Sequence, residues 1–226
     1  MQKPFPQNRT ERRERILRAA LDVGLKRGLA ATHMDEIAEN AGVSKGTLYN
    51  FFESREQLLV EAVLFSYTDA VVLHEGVEDE ATRPRVRLEL LIDSLAESFD
   101  RVVLQFPMAT QAWSLSAPGT EVHMRLSQGL NEIFMGYRKR VSDLLSAAQH
   151  AGDLEPEVDV NALAAIWVAT YNGLLYRAGF DEREDDSLST KDGVTRALTF
   201  LLHAAQPRNE VSNSSPEKSE STRKKD

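Results

Sequence analysis

The tripeptide Ala41-Gly42-Val43 constrains what this chain can fold into more than any other stretch of it. Before it, Met34, Ile37, Ala38 and Ala41 recur at spacings of three and four, the buried stripe of a short amphipathic helix. Gly42 can take the left-handed backbone that ends such a helix, and Val43 plugs the corner. Ser44 then stands where an N-cap belongs. Lys45 to Phe52 leaves room for only about two helical turns before Ser54-Arg55-Glu56-Gln57 offers a capping box. Thr32-His33-Met34-Asp35 has the same form and predicts a cap by the Thr32 hydroxyl. A longer helix over Arg9 to Arg27, stopped by Gly28, braces the pair. Two short helices at a tight corner against a third make a helix-turn-helix.

That geometry lays the second helix of the pair in the major groove of DNA. Gly46 and Thr47 are small enough for close backbone approach, while Lys45, Thr47, Tyr49 and Asn50 project donors and acceptors. Leu48 and Phe52, four apart, face inward. His33 and Ser44, at the starts of the two helices, join the candidate DNA-contacting set. The net charge of −8 fits poorly with nucleic acid until it is resolved along the chain: residues 1–55 carry +3 and the remainder −11. A basic module that faces DNA and an acidic body that repels it account for the division.

Helical periodicity continues from Leu58 toward His74, and the acidic stretch from Glu75 to Pro84 reads as a loop. Leu88, Leu91, Ile92, Leu95, Phe99 and Val102 share a face, until Phe106-Pro107 predicts a break and a new helix with proline in its first turn. A turn over Ser116 to Thr120 precedes a long helix from Glu121 to Ala151. The segment 162–178 is apolar nearly all round and must be covered on every side, which predicts core on one face and a second subunit on the other. A last helix spans 189–205 and is expected to share the homodimer contact with 162–178. Residues 1–8 read as a loose arm and 206–226 as a disordered, solvated tail.

No strand alternation and no Gly-rich phosphate loop is present, so the expected class is all-α. The expected units are a DNA-binding domain over 9–55 and a helical effector-binding and dimerisation domain over 56–205. No apolar run is long enough to span a membrane, and no export signal is apparent, which predicts a cytoplasmic protein. With no cysteine, thiolate metal sites and cysteine nucleophiles are excluded. The five histidines show no HxxxH or HExxH pairing, and His74 with Glu75 and Glu78 is at most a weak metal cluster, so neither metal nor cofactor is expected.

The block IAENAGVSKGTLYNFFESREQL, from Ile37 to Leu58 and preceded by Thr32, resembles the N-terminal domain of TetR-family regulators, and the likeness extends over residues 9 to about 65. The resemblance implies an all-helical homodimer that binds a palindromic operator, usually as a repressor. It places Lys45, Thr47, Tyr49 and Asn50 on the recognition helix, with Tyr49 similar to the family's phosphate-binding aromatic. It places Thr32 and Arg55 where the family contacts the DNA backbone. Arg55 departs from the more common lysine, and Asn50 from the more usual aromatic, basic or histidine residue.

Beyond residue 70 the resemblance is one of architecture. Phe99, Phe106, Trp113, Met124, Phe134, Tyr137, Trp167 and Tyr171 are candidates to line an apolar pocket, with Gln111 and Asn172 orienting a hydrophobic or aromatic effector. The competing readings are a regulator governed by a protein partner, or an activator, and more distantly an all-helical enzyme.

Overall fold

The computed structural model describes residues 9–70, 73–180 and 188–207; the expected arm over 1–8 and the tail beyond 207 lie outside the described residues. The described residues are helical almost throughout and include no strand, as the all-α expectation required. Helix α1 (Arg9–Arg27), a 3-10 turn (Leu29–Ala31), α2 (Met34–Ala41) and α3 (Lys45–Tyr49) form the head. Helix α4 (Arg55–Ala70) leads out of it into α5 (Pro84–Leu115), α6 (Glu121–His150), α7 (Val160–Phe180) and α8 (Lys191–Ala204).

The corner forms as its residues dictate. Gly42 adopts φ 64° and donates its N–H to the carbonyls of Ala38 and Glu39, closing α2. The Ser44 hydroxyl accepts the Thr47 N–H at 3.1 Å and starts α3. Leu48 and Phe52 sit in the head core with Ile16, Leu17 and Ile37. The guanidinium groups of Arg9, Arg13 and Arg18 lie over the rings of Phe51, Phe52 and Phe65 at 5.0–5.6 Å, so the basic residues of α1 also pin it to the α3–α4 side. At the start of α4 the Ser54 hydroxyl accepts the Gln57 N–H (3.0 Å), while the Gln57 side chain accepts the N–H of Glu53 (2.6 Å).

Two expectations need correction. Thr32 does not cap α2: the N-cap is His33, which makes no side-chain cap bond. The 3-10 turn folds Thr32 inward, where it is fully buried and its hydroxyl donates to the Gly28 carbonyl at 2.9 Å. Nor does α5 break at Pro107; it runs for 32 residues straight through it. Proline removes its own N–H from the ladder and crowds the carbonyl one turn back, but residues on either side, Val102 before and Met108 and Ala112 after, are buried. Their packing holds the helical path that local propensity alone would interrupt.

The body core joins Leu88, Leu91, Ile92, Leu95 and Phe99 of α5 to Val141, Leu144 and Leu145 of α6, Trp167 of α7 and Leu198 of α8. The head core reaches well past the first three helices, drawing in Leu58 to Leu64 of α4, Met108 and Ala112 of α5, and Leu126 of α6. Head and body are also bonded directly. Glu61 of α4 receives Arg13 of α1 at 2.9 Å and Arg125 of α6 at 2.7 Å, and the Gln111 side chain on α5 accepts the Leu29 N–H at 2.9 Å. The expected division between residues 55 and 56 therefore falls inside the head's core.

Candidate nucleic-acid interface and buried cavity

The outer surface of the head is set by α3. With Leu48 turned into the core, Lys45, Gly46, Tyr49 and Asn50 are exposed, and Thr47 is half-buried beside them. A Cβ added at Gly46 would come no closer than 3.9 Å to any neighbour, the Ser44 hydroxyl, so this stretch of backbone is open to close approach. Tyr49 is about half exposed, at 49%. Lys45 bonds the Asp35 carboxylate of α2 at 3.0 Å, and that bond and charge hold its ammonium pKa above the usual lysine value. His33 and Ser44 are also on the surface. The seven residues His33, Ser44, Lys45, Gly46, Thr47, Tyr49 and Asn50 thus come together at the ends of α2 and along α3.

Thr32 and Arg55 do not join them as expected. Thr32 is buried, and what it offers is its carbonyl, which accepts Arg55 Nε at 2.6 Å. Arg55 Nη2 donates to the Leu29 and Ala30 carbonyls at 2.7 and 2.9 Å, and Nη1 to Glu56 at 3.1 Å. The guanidinium is a clamp on the 3-10 turn. This gives the departure from lysine a structural account, because only a planar fork reaches three carbonyls at once.

In the body, a cavity of about 430 Å³ opens among α4, α5, α6 and α7. Four of the ten residues expected to line a pocket do so: Phe134, Tyr137, Tyr171 and Asn172. Trp167 is fully buried behind them and donates its indole N–H to the Tyr137 hydroxyl at 2.9 Å. Phe99 is core, edge-on to Tyr171, and Phe106 packs edge-on to Tyr176. Gln111, Trp113 and Met124 are corrections. They lie at the head–body junction, Gln111 on Leu29, Trp113 against the His123 ring and Met124 exposed on the first turn of α6. Residue type at helical spacing, aromatic or apolar for Trp113 and Met124 and polar for Gln111, could not distinguish these positions from wall residues.

The walls that sequence reasoning missed are Tyr67 of α4, Leu91, Leu95 and Val102 of α5, Ile133 of α6 and Leu175 of α7, with Thr68, Glu132 and Arg140 at the exposed mouth. The α5 leucines were legible as a buried stripe, but a stripe does not tell core from cavity. Burial pushes the Tyr67 phenol up to about 12, and raises those of Tyr137 and Tyr171 further, so all three remain protonated at neutral pH. His74 pairs with Glu97 at 2.9 Å, away from the metal cluster weighed above. Among the described residues no group of three or more His, Cys, Asp or Glu could hold a metal ion, and no helix is long and apolar enough to cross a membrane.

A buried-cornered helix-turn-helix on a helical body defines the class: a DNA-binding transcriptional regulator. Residues 16–62 match the family model described as "Bacterial regulatory proteins, tetR family". The uncharacterized HTH-type transcriptional regulator YxaF of Bacillus subtilis is 30% identical over 135 residues, which covers 56% of this chain and 70% of that protein. The chain belongs to the TetR family. The repressor KstR of Rhodococcus jostii is 34% identical over 105 residues, 46% of this chain and 48% of KstR, so the chain matches only about half the length of that relative. The fold of the SmeT–triclosan complex superposes with a TM-score of 0.67 at 23% identity, covering 88% of this chain and 93% of that one.

Proposed function

We propose that the chain is a ligand-responsive repressor that binds a palindromic operator as a homodimer and releases it when a small apolar or aromatic molecule fills the α4–α7 cavity. The observation that carries this reading is that α3 buries Leu48 and Phe52 while presenting Lys45, Gly46, Tyr49 and Asn50 outward from a braced corner. In this reading Lys45, Thr47 and Asn50 meet base edges or phosphates. Tyr49 and Ser44 position the helix on the backbone, and His33 adds a contact from the start of α2. Lys45 exchanges Asp35 for DNA on binding.

In this reading the DNA contacts come from residues 9–55 and the effector and dimer contacts from 56–205, a division of roles across which the head's packing runs on into α4. An apolar face on α7, formed by exposed Ala162, Ile166, Ala169, Gly173 and Tyr176, supports dimerisation there, and the exposed Phe200 extends it onto α8. The dimer sets two α3 helices about 34–36 Å apart, one turn of DNA. An effector favouring another spacing lowers DNA affinity reciprocally. KstR is a repressor and SmeT forms a triclosan complex; both support the reading by likeness.

The test is a mobility shift on DNA from immediately upstream of the chain's own gene, with selection from random DNA if that fragment is not bound. Specific, salt-sensitive binding that falls about 10-fold or more in Tyr49→Ala, with helicity unchanged, is the expected result. Unchanged affinity in the variant would remove Tyr49 from the interface. Absence of any selected sequence would sink operator binding.

A further inference from the structure

Two phenols stand in the wall of the cavity among otherwise largely apolar residues. Tyr171 is 4% exposed, lines the cavity, and its hydroxyl has no hydrogen-bond partner among the described residues. Its ring lies 6.3 Å from that of Tyr137, which also lines the cavity. The Tyr137 oxygen already accepts the Trp167 N–H, which favours its hydroxyl as a donor for the next partner. A buried hydroxyl left unpaired costs free energy, and the cost is recovered by any occupant that supplies the missing partner. With both phenols held protonated by burial, two neutral phenols stand side by side in the cavity wall, the Tyr171 hydroxyl sealed from solvent and reached by an occupant only as that ring turns toward it.

Charge at the cavity is confined to its mouth. Arg140 is half exposed there and pairs with Glu78 at 2.8 Å, and Glu132 is exposed close by. Deeper in, the walls are Leu91, Leu95, Val102 and Leu175. An anion drawn to the phenols would be buried without a cation, and a cation without an anion, each at a large desolvation cost.

We propose that the cavity selects apolar molecules carrying a neutral oxygen acceptor, a ketone, ester or amide carbonyl, and that Tyr171, with Tyr137 beside it, donates to that oxygen. This rests on the effector reading of the cavity and specifies its ligand chemistry. The body of such a ligand lies against the α5 leucines, and its carbonyl points to α7. A hydrocarbon of the same shape fills the walls but leaves the Tyr171 hydroxyl unpaired.

The experiment is calorimetric titration of the full chain with three probes of one shape: 2-acetylnaphthalene, 2-ethylnaphthalene and 2-naphthoate. The ketone should bind about 10-fold tighter than the hydrocarbon, the worth of one net hydrogen bond, and tighter than the carboxylate. In Tyr171→Phe the preference for ketone over hydrocarbon should shrink to less than about threefold while hydrocarbon affinity is kept. Tyr137→Phe reads out the second donor and serves if the first variant does not fold. Equal binding of ketone and hydrocarbon, tightest binding of the carboxylate, or a preference that survives both variants would overturn the acceptor rule and leave the cavity as a ligand site. Binding of none of the three at their solubility limits would overturn the effector reading itself.

Discussion

Arg55 makes the case at the scale of a residue. Its three donor nitrogens hold the carbonyls of Leu29, Ala30 and Thr32 and the carboxylate of Glu56. The 3-10 turn that presents those carbonyls is short, and its own backbone meets the Leu29 carbonyl with the Thr32 N–H at 3.3 Å, a long bond that Arg55 reinforces. Lysine at this position keeps the charge but brings one nitrogen where three are used. Arg55→Lys is therefore expected to cost about 1–2 kcal/mol, with hydrogen bonds to charged donors discounted for partial exposure, and thermal denaturation will register it as a fall of several degrees in Tm. An unchanged Tm would mean that the clamp is redundant with the Thr32 hydroxyl bond to Gly28. The sequence marked Arg55 as unusual, but the reason lay in backbone groups more than twenty positions away, which no local pattern reports.

Among the elements, α5 is the one that joins the two sites. Leu91, Leu95 and Val102 wall the cavity on its N-terminal side, and Met108, Gln111 and Ala112 meet the head after Pro107. The proline sits between these two stretches, at an interior position of the helix that cannot donate to the ladder. Pro107→Ala restores that donor and a better helix former, so it should stabilise the chain by about 1–3 kcal/mol; chemical denaturation measures it, and a loss of stability would mean that the ring's packing outweighs the missing bond. Legibility divides along similar lines. The helices α1, α2 and α3, the Ser44 cap and the left-handed Gly42 were readable because each depends on residues within one turn of it. Pro107 and Thr32 were misread because tertiary packing decided them. The cavity was half readable: Tyr137 and Tyr171 were found by residue type, but Tyr67 and the α5 leucines are wall residues only because four helices converge there.

For the whole molecule, the apolar face of α7 is the open account. Ala162, Ile166, Ala169, Gly173 and Tyr176 recur at spacings of three and four along one side, with Ile166 52% exposed, and Phe200 on α8 is 70% exposed. Under the proposed dimer these surfaces cover one another, and Ile166→Glu places a charge where it must be desolvated. Sedimentation at micromolar concentration should show a dimer for the native chain and a monomer for the variant; a dimer in both would move the interface elsewhere.

The reach of the head core has a consequence for modularity. Leu58 to Leu64, Met108, Ala112 and Leu126 complete the packing around α1 to α3, and Glu61 ties that packing to α6. A graft that exchanges only residues 9–55 between chains of this kind would leave half of a hydrophobic interior behind in the donor. Recombination that preserves folding must carry α4 and the facing surfaces of α5 and α6 along with the head, so the head is not an interchangeable cartridge.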